Sequence, residues 1–238
     1  MAEPLFDNPR HWQRTTLEPN ELEGFILSVE SGGTPSTVIE EYWAGNIPWL
    51  TPKEITGNAE QIFVSRTERY ISESGLANSG AVLLPSGTVL LTKRAPVGAV
   101  AINAVPMSTN QGFLNFRCGP KLRPLFLAYW LKVNTQYLQQ VANGSTYREL
   151  YAGDLFEFEL AIPPMEEQDA IVSVINAIQF LSLMSLPIEQ SVGSPDEMPE
   201  AQHQTHRLLG IRDAILIRLL DGSLDTSKVS RVFGVTPQ

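Results

Sequence analysis

Between Glu73 and Glu149 this chain contains no aspartate or glutamate. Cysteine is nearly absent too. The single Cys118 excludes a disulfide within the chain and fits a reducing cytoplasm, and a lone thiol without a neighbouring His motif reads as inert packing. Histidine is scarce, and from His11, His203 and His206 no nucleophile–base–orienter set can be argued on sequence. His203 and His206 also lie too far in sequence from Cys118 to suggest zinc, and read as solvated helix residues. No apolar run approaches the roughly 20 residues that span a bilayer, and the Met-Ala-Glu-Pro-Leu start shows no signal peptide. No glycine-rich cofactor loop follows a strand with a later acidic ribose ligand. The neighbouring acids Glu40-Glu41 and Glu166-Glu167 point in different directions and read as solvated faces.

What is present is unevenly placed. The chain has 43% hydrophobic and 18% charged residues, a globular composition, and a formal net charge of −9. Yet the acid-free stretch holds Lys93, Arg94, Arg117, Lys121, Arg123, Lys132 and Arg148, whereas Glu149 to Glu200 holds eleven acids and no base. The same stretch carries Thr92-Lys93-Arg94-Ala95-Pro96, Ser108-Thr109-Asn110-Gln111-Gly112 and Asn143-Gly144-Ser145-Thr146-Tyr147-Arg148. Cations mixed with amides and hydroxyls suit a phosphate backbone and base edges, which makes double-stranded DNA the expected partner. The blander reading is that an acid-poor tract marks only a large core.

With 238 residues the chain fits one domain plus an appendage or two small domains. Up to Ile162 glycine and proline punctuate short apolar runs. Ala81–Leu84 and Thr88–Thr92 flank Pro85-Ser86-Gly87 and predict a hairpin, with Gly98–Ile102 as a third strand. Phe126, Tyr129, Trp130, Val133, Tyr137, Leu138 and Val141 recur at steps of three and four. They predict a buried helix over 125–142 that stops at Asn143-Gly144. After Ile162 the texture changes: Pro163-Pro164 opens a helix with Glu166, Glu167 and Asp169 in its first turn. Residues 186–202 form a Pro/Gly loop, and a second helix over 203–220 stops at Gly222. The expected architecture is α+β. A mixed-sheet domain over 1–162 precedes a helical stem over 163–238, whose Leu208, Ile211, Ile215, Leu216, Leu219 and Leu220 form a stripe wide enough for self-association or partner contacts. Covering the chain's own sheet would need the same face.

Several phrases stand in a telling order. Gly32-Gly33-Thr34-Pro35-Ser36 precedes Tyr42-Trp43-Ala44-Gly45-Asn46-Ile47-Pro48-Trp49-Leu50-Thr51-Pro52-Lys53-Glu54-Ile55. Leu84-Pro85, Gly87–Thr92, Arg94–Gly98, Ser108–Phe113, Asn143–Thr146, Ile162-Pro163-Pro164 and Glu167-Gln168 follow, and Leu208–Leu224 closes the series. The chain resembles the target recognition domain of the DNA specificity subunits of type I restriction-modification systems. The resemblance implies a non-catalytic, cofactor-free protein that reads DNA and hands the site to modification (methyltransferase) and restriction subunits. In that family two recognition domains in one chain read an interrupted target, held apart by two long helices. One recognition domain here implies a half-length form that restores the pair as a homodimer. The break at Pro187–Pro199 departs from the family's continuous helix.

The candidate DNA-binding residues are Lys53, Arg66, Arg69, Lys93, Arg94, Asn110, Gln111, Ser145, Thr146, Tyr147 and Arg148. Lys93 and Arg94 follow a predicted strand, in a loop where cations can reach out; arginine can bridge guanine O6 and N7 or clamp a phosphate. Asn110 and Gln111 carry the donor and acceptor that match adenine, but can equally bond the backbone. The base readers can also lie in the loop from Asn58 to Arg69, which offers Gln61, Ser65, Arg66 and Arg69. Gly32-Gly33 suggests a turn and an anion nest without the lysine of a P-loop. Pro163-Pro164 mimics an amino-methyltransferase motif, but Ile162 stands where the amine-binding Asn would be and Met165 where the aromatic would be. The alternative function is an orphan or truncated subunit that competes for partners without reading DNA.

Overall fold

The computed structural model describes residues 10–56, 61–142, 149–184 and 213–224. The chain divides into two compact units, one over Gln13–Ile162 and a second formed by residues 10–12 with the described residues from Pro163 onward. The fold is α+β, with sheets that mix parallel and antiparallel neighbours.

The first unit is built on a five-stranded sheet. Its strands are β2 (Ile26–Ser31), β4 (Phe63–Val64), β6 (Val89–Thr92), β7 (Val100–Asn103) and β9 (Phe113–Cys118), in the order β2-β9-β6-β7-β4. All residues of β6 and β7 are buried, as is Phe113–Phe116 of β9. Unbroken apolar runs such as Val89-Leu90-Leu91 suit strands covered on both faces. A second sheet has the order β5-β3-β8, from β3 (Ile47–Leu50), β5 (Arg69–Ile71) and β8 (Ser108–Thr109). β3 alternates: Leu50 packs in a cluster with Ile55, Leu84, Leu90, Ala101, Met107 and Phe113. Ile47 and Trp49 join Ile71 and Ala81 in another. The two-residue period of a strand thus gives β3 two cores to serve. A ribbon of β1 (Gln13–Thr16) and β10 (Glu159–Ile162) completes the strands of this unit.

The expected hairpin does not form. Pro85-Ser86-Gly87 does turn the chain, with Gly87 at φ +85°, but Leu84 bonds Met107 and β6 lies between β9 and β7. The actual hairpin joins β6 to β7, so the strand expected over 98–102 is found at Val100–Asn103. The expected helix over 125–142 is two: α3 (Pro124–Val133) and α4 (Thr135–Val141). The break is Asn134, 3% exposed, whose side-chain Nδ2 and backbone N both donate to the Trp130 carbonyl, at 2.9 and 3.2 Å. An asparagine side chain that bonds the preceding turn in this way competes with continued helix. Phe126, Tyr129 and Trp130 are buried, and α3 packs on β6 and β7. Desolvation there pushes the Tyr129 hydroxyl up to about 12, and that of half-buried Cys118 pushes its thiol up to about 12. Cys118 therefore carries little reactive thiolate near neutral pH.

In the second unit, α6 (Met165–Met184) begins after Pro163-Pro164 as its sequence predicts. Glu167 in its first turn accepts hydrogen bonds from Arg10 and from Trp12 Nε1, and fully buried Gln168 donates to the Pro163 carbonyl at 2.9 Å. Ile171, Val174, Ile175 and Ile178 are buried. The second helix is described over residues 213–220 and ends at Gly222, whose φ of +77° is the left-handed stop expected of it. Leu219 and Leu220 are buried within the single chain, while Ile215 and Leu216 are half-buried. Leu208, Ile211 and the loop over 186–202 lie outside the described residues.

Candidate nucleic-acid interface

The polar phrases of the acid-free stretch are partly interior. Thr92, Ser108 and Thr109 are fully buried. Thr92 Oγ1 donates to the Pro96 carbonyl at 2.6 Å and accepts from Ala99 N at 2.9 Å, which ties down the loop between β6 and β7. Helix α4 holds the same loop, through Thr135 Oγ1 to the Gly98 carbonyl and Gln139 Nε2 to the Val97 carbonyl. Asn110 Oδ1 accepts from Gly112 N at 2.8 Å and thereby closes its own turn, the backbone role its sequence left open. Gln111 is exposed, with Oε1 accepting from Thr34 Oγ1 at 2.6 Å. Neither Gly32 nor Gly33 takes a positive φ, so no anion nest forms there. Gly33 instead lies against the Gly80–Ala81 backbone, its N donating to the Thr109 carbonyl and its carbonyl accepting from Trp49 Nε1.

Lys93 does not reach freely into solvent. Its Nζ is 3.1 Å from Glu149 Oε1, and Arg94 Nη1 is 3.7 Å from Oε2 of the same carboxylate. The backbone sets this up: Leu150 N donates to the Lys93 carbonyl, and Lys93 N donates to the Gly112 carbonyl. Residues far apart in sequence, Lys93, the 110–112 turn and Glu149, thus share one rim. The acid that ends the acid-free stretch neutralises two of its cations, so Glu149→Gln should strengthen binding to any duplex DNA that meets this rim. We expect the slope of log affinity against log salt to steepen by about one, as measured by fluorescence anisotropy. An unchanged slope and affinity would place Lys93 and Arg94 off the DNA-facing surface.

The least neutralised cations lie elsewhere. Lys53 is exposed on α1 (Pro52–Thr56), and Arg66 and Arg69 are exposed in the segment leading through β5. Gln61, Phe63, Ser65 and Arg66 line a cleft of about 220 Å³ with Glu54, Ile55 and Val64. Glu54 does not oppose the cations as a loose charge. Its Oε2 accepts from Thr51 N and Oγ1, and its Oε1 accepts from Glu68 N at 2.7 Å, so it anchors the loop. Thr67 Oγ1 adds a second anchor, accepting from Trp49 N and donating to the Arg69 carbonyl. Phe63, 46% exposed, is a candidate contact residue that charge-based reasoning missed. Ser145, Thr146, Tyr147 and Arg148 lie outside the described residues. Among the described residues no cluster of His, Cys, Asp and Glu is placed to hold a metal, and no helix is long and apolar enough to cross a membrane.

Residues 17–181 match the model of the type I restriction modification DNA specificity domain. The chain belongs to this family. This chain is 43% identical over 153 residues to the type I restriction enzyme MjaIX specificity subunit of Methanocaldococcus jannaschii, covering 63% of this chain and 35% of that protein. It is 24% identical over 206 residues to the EcoR124I/EcoR124II specificity subunit of Escherichia coli, covering 82% and 49%. The chain therefore spans about a third to a half of the length of these relatives. Among solved structures, the HsdS subunit from Thermoanaerobacter tengcongensis aligns at a TM-score of 0.57 and 19% identity over 94% of this chain and 48% of that one. A chain from a study of the assembly and conformational transition of the type I R-M system aligns at 0.60 and 20% over 94% and 49%. These two likenesses establish the fold.

Proposed function

We propose that this chain is the DNA-reading specificity subunit of a type I restriction-modification system. It is non-catalytic and directs modification (methyltransferase) and restriction subunits to an interrupted target in the cytoplasm. The observation that carries this reading is the match of residues 17–181 to a DNA specificity domain. The exposed Lys53, Arg66 and Arg69, of which Arg66 lines a cleft with Gln61 and Ser65, are consistent with it. Two copies, each with one recognition domain, supply two half-site readers related by a two-fold axis, so a homodimer suits a near-palindromic target.

The test combines light scattering with duplex binding, on the chain alone and with its modification subunit. A dimer that selects one duplex sequence over others supports the proposal. Specific binding falls steeply with salt, with a log–log slope of about −0.9 per phosphate neutralised. Partner binding without any sequence preference would favour a competitor role. Nuclease or methyltransferase activity of the purified chain alone would overturn the non-catalytic reading.

A further inference from the structure

Arg69 is held by stacking on an indole rather than by a carboxylate. It lies on β5, an edge of the three-stranded sheet, directly across from Trp49 in the antiparallel register. Its guanidinium carbon sits 3.4 Å above the ring of Trp43 and 5.6 Å from that of Trp49. The indole beneath it is itself fixed. Trp43 Nε1 donates to the Ser36 carbonyl at 3.1 Å, and its ring meets Trp49 edge-on at 4.9 Å. Trp49, 4% exposed, is anchored through Nε1 to the Gly33 carbonyl at 2.9 Å. Arg10, Arg14, Lys93 and Arg94 all pair with carboxylates. No carboxylate among the described residues lies within ion-pairing distance of Arg69.

Stacking occupies the face of a guanidinium and leaves its N–H edge in the plane, pointing outward. A fork fixed in this way matches two acceptors side by side, as O6 and N7 of guanine present them in the major groove. The anchors at Thr67 and Glu68 also fix the chain just before the side chain. Building on the DNA-reading function proposed above, we propose that Arg69, backed by the indole of Trp43, reads a guanine of the target sequence. Arg69 is then a specificity-determining residue, and Trp43 positions it.

The experiment is selection from a randomised duplex library by the full chain with its modification subunit, for wild type, Arg69→Lys and Trp43→Leu. Wild type is expected to enrich a target with a guanine at a fixed position. Arg69→Lys keeps the charge but loses the planar fork. It should weaken the preference for that guanine by roughly 5- to 150-fold while the other positions stay unchanged. Trp43→Leu leaves Arg69 in place without its support and should lower the same preference. If Arg69→Lys retains every position and binds all sequences more weakly alike, Arg69 contacts phosphate and the proposal falls. If wild type enriches no sequence at all, the DNA-reading function falls with it.

Discussion

Trp130→Ala is expected to destabilise the recognition domain by about 3 to 5 kcal/mol, more than any change on the proposed DNA-facing surface. The indole is 1% exposed on α3, in a run from Phe126 to Leu131 that is buried throughout. Packing is tight in such an interior, so truncation removes transfer free energy and leaves a cavity that the neighbours only partly fill. The site is also a junction. The Trp130 carbonyl accepts both hydrogen bonds that end α3 at Asn134, and α3 packs on the central strands β6 and β7. Urea unfolding followed by tryptophan fluorescence and near-UV circular dichroism measures the effect as a lower midpoint at similar slope. Phe63→Ala, at a residue 46% exposed on the edge strand β4, is the comparison and should shift the midpoint little. A midpoint for Trp130→Ala within that small range would mean that α3 contributes little to holding the sheet.

The burial of Trp130 was legible in sequence, because steps of three and four residues report a helix face directly. The break at Asn134 was not. The same periodicity runs through both α3 and α4, and a single asparagine bonding back to Trp130 leaves no trace in the apolar pattern. Strand partnership was hidden for a different reason. Pro85-Ser86-Gly87 marks a turn whether or not the flanking strands pair, and Leu84 finds its partner at Met107. The family phrases fared better as markers of fold than as markers of contact. Ser108 and Thr109 in one of them are wholly buried, and Asn110 closes a turn. Charge was legible as a count but not as a surface: Glu149 ends the acid-free stretch in sequence and sits on Lys93 and Arg94 in space. Arg69 had a charge that could be listed among candidates, but its fixing by Trp43 depends on β5 lying beside β3, which no local pattern states.

Asn103→Leu should be the most damaging polar change, on the order of 3 kcal/mol, because it strands several backbone groups at once. Asn103 is fully buried at the end of β7. Its Oδ1 accepts from Thr88 N at 2.7 Å, and its Nδ2 donates to the carbonyls of Pro85 at 2.8 Å and Val105 at 3.0 Å. Leucine is similar in size, so the loss comes from unpaired N–H and C=O groups with no water to replace the amide, rather than from a cavity. Asn103→Asp keeps the acceptor for Thr88 N but removes both donors and introduces a buried charge, so it should be at least as harmful. The consequence reaches the proposed reading site through the chain. Val105 leads to Met107, which bridges Leu84, and then to β8, which pairs with β3, the strand that carries Trp49 opposite Arg69. Loosening the Asn103 clamp should therefore weaken DNA binding at temperatures where the domain is still folded, and do so before the thermal midpoint is reached. A variant that unfolds early yet binds its target normally up to that point would show that the two sheets hold their register independently.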